Sequence, residues 1–406
     1  MAQKTILLAR QPICNVDKEI VAYELLFRYE DGSAPSNLDG DQATSQVLLN
    51  AFCEGGVTSV TGGKPAFVNF TENLLEQLPP FDPERLYIEI LEDIKITDDL
   101  VEKIKVLKEN HFKIAIDDFV WDDSYRPVLE YTDIVKLEVP AMNRQQLQTT
   151  VRNLKLYDVS LLAEKVETHE EFEQCKELGC TLFQGYFLFK PQIVEGKKLS
   201  SAKLAVLKLI ADLQDPEASV AEITTAINRD PVLSFKLLAL VNSAAFRRPC
   251  EVNNISTAVS LLGVNRLRSW ASMLAMGSLD DKPESLQLIA LQRAEFCDLI
   301  AEVIAPAKRD QFYMIGLLSS LDLFFDIELP TLVKELPLDA DSKLALIEYA
   351  GDAGLALKTA RFYESFRLSD VNWSTFHELG MRQQDLHTMY LKSNVQANAL
   401  LSQTNE

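Results

Sequence analysis

The feature that most constrains this chain is a rhythm of polar residues closing short apolar runs. TILLARQPI (5–13), IVAYELLF (20–27), AFVNF (66–70), LYIEI (86–90), KIAIDD (113–118), DIVKLEV (133–139), SLLAE (160–164) and TLFQGY (181–186) have the length and the β-branched or aromatic content of strands. At or near their C-terminal ends stand Glu24, Asn69, Glu89, Asp117 with Asp118, Lys136, Glu164 and Gln184. From Asn69 onward the gaps are 20, 28, 19, 28 and 20 residues, one strand and one helix each time. Helix-like segments such as DDLVEKIKVLKENH (98–111) and HEEFEQCKELG (169–179) separate most of the runs, the second with Thr168 as N-cap and Gly179 as C-cap. Strands alternating with helices pair in parallel through right-handed crossovers, and eight of them predict a closed (β/α)8 barrel. The short NVDKE turn joins the first two runs as a hairpin, so the barrel is a modified one.

After KPQIVEGKKLSSAK (190–203) the pattern changes. LAVLKLIADL, PVLSFKLLALVNSAAF, ISTAVSLLGVNRLRSWASMLAM, SLQLIALQRAEFCDLIAEVIA, FYMIGLLSSLDLFF and KLALIEYA carry apolar residues at helical spacing. A chain of 406 residues exceeds what one core usually serves. The fold class is therefore α/β plus all-α: a TIM-like barrel domain over 1–195, then an all-helical domain over 200–406.

Composition narrows the function classes. Hydrophobic residues make up 47% and charged residues 25%, and no apolar run approaches the ~20 residues of a membrane span. The N-terminal apolar run is five residues long and ends at Arg10, too short for a signal peptide, which predicts a cytoplasmic protein. Six cysteines without a C-x-x-C pair fit neither a zinc site nor a disulfide framework. A net charge of −20, without a basic stripe, disfavours direct nucleic-acid binding.

The polar ring has a bland explanation and a sharper one. Any single member is satisfied as a solvated strand end; seven in phase put one mouth of the barrel to common use. Carboxylates converging there repel one another unless cations intervene, and oxygen-only ligands favour Mg2+ or Mn2+.

These residues carry a resemblance. YELLFR (23–28), FVNFT (67–71), YIEILED (87–93), IDDFV (116–120), VKLEV (135–139), AEKVET (163–168) and FQGYFLFKP (183–191) resemble, in order, the motifs of EAL domains, the cyclic di-GMP phosphodiesterases. The resemblance implies hydrolysis of cyclic di-GMP to the linear dinucleotide pGpG with Mg2+ or Mn2+. It implies metal ligation by Glu24, Asn69, Glu89, Asp117 and Asp118. Lys136, Glu164 and Gln184 take positions around the metals and the attacking water, and Glu92 steadies the loop after Asp118. Arg28, Glu167 and Gln11 take substrate-binding positions. A homodimer also belongs to the family pattern.

Two stretches depart from it. Val120 and Trp121 stand where the family has a glycine-rich loop, which predicts a different backbone path. Lys165 replaces the glycine of A-E-G-V-E-T; a solvated lysine at a helix entry and an active-site role both stand open.

In the second half, NRDPVLSFKLLALVNSAAF (228–246) and ISTAVSLLGVNRLRSW (255–270) resemble the start of an HDOD domain. Asp230 and Pro231 start one helix and Gly263 ends another. No histidine is followed by aspartate, so this half reads as a regulatory or docking surface for a protein partner. Two functions follow: a cyclic di-GMP phosphodiesterase, or an inactive EAL–HDOD regulator working through partners.

Overall fold

In the computed structural model the described residues are 6–29, 61–76, 79, 81–92, 94–190, 199–242, 252–279 and 281–404. The chain divides into two compact units, Met1–Lys190 and Pro191–Glu406.

The first unit is a closed eight-stranded barrel. Its strands are β1 (Ile6–Asn15), β2 (Ile20–Tyr29), β3 (Ala66–Phe70), β4 (Leu86–Ile90), β5 (Lys113–Ile116), β6 (Ile134–Glu138), β7 (Ser160–Glu164) and β8 (Leu182–Gln184). β1 runs antiparallel to both β2 and β8, whereas β2 to β8 pair in parallel. The reversal comes from the expected hairpin, whose turn is closed by the Asn15 side chain accepting from the N–H groups of Asp17 and Glu19.

Helices α1 (Asp98–Glu109), α2 (Arg126–Leu129), α3 (Arg144–Leu154) and α4 (His169–Leu178) fall between the later strands. Their starts are written in the sequence: the Thr97 side chain accepts from Leu100 N–H, and Asn143–Gln146 and Thr168–Glu171 form reciprocal capping boxes. Gly179 ends α4 in the left-handed region at φ 113°. A core of Ile13, Ala22, Phe67, Ala115, Ile134 and Leu162 fixes the facing of the strands. Period-two alternation then presents the polar residues near the strand ends together.

β8 is shorter than the run TLFQGY suggests. Gly185 follows at φ 152°, and a Cβ there would stand 2.1 Å from the Val166 carbonyl oxygen, so only glycine lets the chain pass and turn.

The second unit is all-helical, with α5 (Ser201–Gln214), α6 (Val220–Asn228), α7 (Pro231–Asn242), α8 (Ile255–Leu262), α9 (Val264–Gly277), α10 (Glu284–Ile304), α11 (Arg309–Leu318), α12 (Leu321–Phe325), α13 (Leu329–Lys334), α14 (Ala340–Glu348), α15 (Gly351–Glu364), α16 (Trp373–Glu378) and α17 (Gln383–Thr404). Asp230 caps the start of α7 by accepting from Val232 and Leu233, and Gly263 separates α8 from α9. The central helix α10 is buried along most of its length and packs on α11, α15 and α17. Gly316 of α11 lets the α10 backbone come close, since a Cβ there would lie 2.7 Å from Ala294 Cα. Among the described residues no helix is long and apolar enough to cross a membrane.

Candidate active site at the barrel mouth

Lys136, fully buried on β6, is the hub of the polar ring. Its Nζ lies 2.7 Å from Glu89, 2.7 Å from Asp117, 3.0 Å from Glu164 and 3.4 Å from Glu24. Gln184 Nε2 donates to the second oxygen of Glu24 at 2.5 Å. Residues up to 160 positions apart in sequence thus meet at one point, delivered by β2, β4, β5, β6, β7 and β8.

One ammonium faces four carboxylates, and the account does not close. The Oε2 atoms of Glu89 and Glu164 are buried without a hydrogen-bond donor. Burial is the main force lifting the Glu89 carboxyl well above its usual range; Lys136 opposes it, and Glu24 and Asp117 add to it. Burial likewise pushes Glu164 up to about 8, against Lys136. Burial alone would lower the Lys136 pKa, but the surrounding carboxylates outweigh it and hold the ammonium charged.

Asp118 extends the cluster outward. One carboxylate oxygen from each of Asp117, Asp118 and Glu164 lies within 4.8 Å of the other two, a spacing suited to a shared cation. The donor set is oxygen-only and carries orphaned buried atoms, which is the chemistry that Mg2+, Mn2+ or Ca2+ accepts. Burial and the neighbouring Asp117 raise the Asp118 pKa to about 6.

The loop after Asp118 resolves the expected departure. The left-handed step falls on Asp118 itself, at φ 39°, and Val120 has no positive φ. Asp122 then accepts from Ser124 N–H to start a short 3-10 turn, Asp123–Tyr125. The Trp121 ring lies edge-on to Phe119 at 6.2 Å and near Tyr157 at 6.4 Å, with the Arg126 guanidinium 5.7 Å away.

Lys165, at the glycine position, adopts that glycine's kind of backbone, with φ 54°. Its Nζ is 2.7 Å from Glu138 Oε2. Glu138, the last residue of β6, was not singled out from the sequence, although it follows Lys136 by two residues and so shares its face.

The other expected site residues are distributed unevenly. Asn69 is half-buried and in register with Glu89, and Gln11 is half-buried opposite Glu24. Glu92 is exposed and acts electrostatically on Tyr125 in the loop after Asp118. Glu167 is exposed, 3.7 Å from Lys190 Nζ. Arg28 belongs to β2, but its side chain lies outside the described residues.

The EAL-domain model matches residues 57–191 and the HDOD-domain model residues 199–339. The chain is 34% identical over 401 residues to uncharacterized protein YuxH of Bacillus subtilis, covering 96% of this chain and 97% of that protein. It is also 34% identical to the cyclic di-GMP phosphodiesterase CdgJ of Vibrio cholerae, covering 94% of this chain and 90% of CdgJ. The chain belongs to the EAL–HDOD family. The Lys136 cluster accordingly lies in the EAL domain, and the helices from α5 onward include its HDOD partner domain.

Proposed function

We propose that the EAL domain is a divalent-cation-dependent phosphodiesterase that opens cyclic di-GMP to pGpG, and that the HDOD domain regulates it or docks a protein partner. The observation that carries this reading is the imbalance at the barrel mouth: buried carboxylate oxygens of Glu89 and Glu164, without donors, beside Asp117 and Asp118. A phosphodiester is an anion, and an uncompensated acidic site repels it. A divalent cation held here would offset much of that negative charge and would supply an activated water and charge stabilisation at the phosphorus. Glu24, Asn69, Glu89, Asp117, Asp118 and Glu164 offer the oxygens for it.

The chain's own groups divide the remaining work. Lys136 holds four carboxylates at fixed positions and keeps a positive charge beside them. Gln184 fixes the rotamer of Glu24. Burial raises the Glu164 pKa in the cation-free cluster, so taking up the cation there would release its proton.

The test is turnover of cyclic di-GMP by the purified chain with Mg2+ or Mn2+. We expect pGpG to form and its formation to vanish in Asp117→Asn. Saturable binding without turnover leaves a nucleotide sensor; neither binding nor turnover leaves a partner-docking regulator.

A further inference from the structure

We propose that the Lys165 ammonium, clamped by Glu138, is a built-in competitor for cation at the outer half of the Asp117–Asp118–Glu164 cluster, and so sets how tightly a divalent ion is held there. The inference rests on reading that cluster as a cation site.

Three adjacent strand ends build the device. Asp118 follows β5, Glu138 closes β6 and Lys165 follows β7, directly after the ligand candidate Glu164. Glu138 and Glu164 are in register on neighbouring strands. The Lys165 Nζ is 2.7 Å from Glu138 Oε2, and its side chain is 55% exposed, so the ion pair holds the ammonium at the rim and not in the barrel core. Its charge acts on Asp118 and Glu164 as well as on Glu138. The backbone adds to the argument: a lysine at φ 54° carries a steric cost that glycine would avoid. That cost is borne where the ammonium acts on Asp118 and on Glu164, whose Oε2 has no donor.

An ammonium and a divalent ion repel each other when both face the same carboxylates. Removing Lys165 therefore tightens the cation, whereas keeping its charge preserves the native affinity. Mn2+ uptake by the full chain, followed by the electron paramagnetic resonance of free Mn2+ and by calorimetry, reads this without reference to activity. Lys165→Gly and Lys165→Asn both tolerate a left-handed backbone and lack the charge; each is expected to tighten the weakest Mn2+ by about tenfold. Lys165→Arg is expected to bind as the native chain does.

Asp117→Asn, which loses Mn2+ uptake, locates the binding at this mouth. Native uptake that Lys165→Gly and Lys165→Asn leave unaltered overturns the inference while the cation reading stands. Absence of uptake in every variant, including the native chain, overturns both.

Discussion

Each half of the molecule buries charge, and the two do it in opposite ways. In the HDOD half, Arg293 on α10 is fully buried and its donors are used: Nε and Nη2 bind the two oxygens of Glu364 at 2.7 and 2.8 Å, and Nη1 binds Ser319. The pair is bidentate, one charge against one, and is closed. In the EAL half, Lys136 serves four carboxylates and leaves Glu89 and Glu164 oxygens without donors. A closed buried pair leaves no charge uncompensated, whereas an open one keeps charge available for something not yet bound.

The largest effect expected from this contrast is in the closed pair. Glu364→Ala strands the Arg293 charge and should cost about 3–5 kcal/mol in urea unfolding, while the double replacement Arg293→Met with Glu364→Leu recovers most of it. An equally large loss for Glu89→Gln would break the comparison.

Next comes Gly185→Ala, whose Cβ must displace the Val166 backbone. We expect on the order of 2 kcal/mol of destabilisation and weakened Mn2+ uptake, because β8 carries Gln184 away from Glu24. Loss of stability without any change in uptake would show that Gln184 does not position the site.

The pH dependence is smaller and has a definite sign. Asp118 and Glu164 titrate in the folded barrel at about 6 and about 8, above ordinary unfolded carboxylates. The folded state then binds more protons than the unfolded one, so in cation-free buffer the barrel is most stable below pH ~4 as far as these groups are concerned and loses stability as pH rises toward 8, at most ~1.4 kcal/mol per pH unit from buried Glu164 and less from half-exposed Asp118, whose charge solvent screens. Hydrogen exchange of β4 to β7 measures it, and Mn2+ should flatten the slope. A stability that rises over this range would mean that the cluster is balanced after all.

The smallest effect is Glu89→Gln itself. Removing a buried, under-compensated charge should change stability by less than about 1 kcal/mol, in either direction, while weakening Mn2+ binding.

Much of this was legible in the sequence because barrels impose simple periods. The strand–helix spacing gave the order of the ring from Asn69 to Gln184, and capping residues such as Thr168 and Gly179 marked real ends. What escaped was anything set by distant partners. FYMIGLLSSLDLFF reads as one helix, yet it breaks between α11 and α12, where the Ser319 carbonyl accepts from Arg293 at 3.2 Å and from Arg361 at 3.0 Å. A helix end must satisfy its last carbonyls, and here two arginines from other helices do so. Lys136 belonged to the ring in the sequence, but its place at the centre is a matter of side-chain reach. Glu138 was readable from alternation and was overlooked because its motif draws attention to the lysine.

The buried lysine has one more consequence. Small metal domains often fold only when their ion arrives, so that metal supply and protein survival are the same variable. By carrying its own counter-charge in Lys136, this barrel separates the two: chelation is expected to empty the site and leave the melting transition cooperative, returning only the increment that ligand binding had added. On the proposed cation-dependent reading, scarcity of divalent ions would silence the protein without destroying it, and the response would be as reversible as the binding itself.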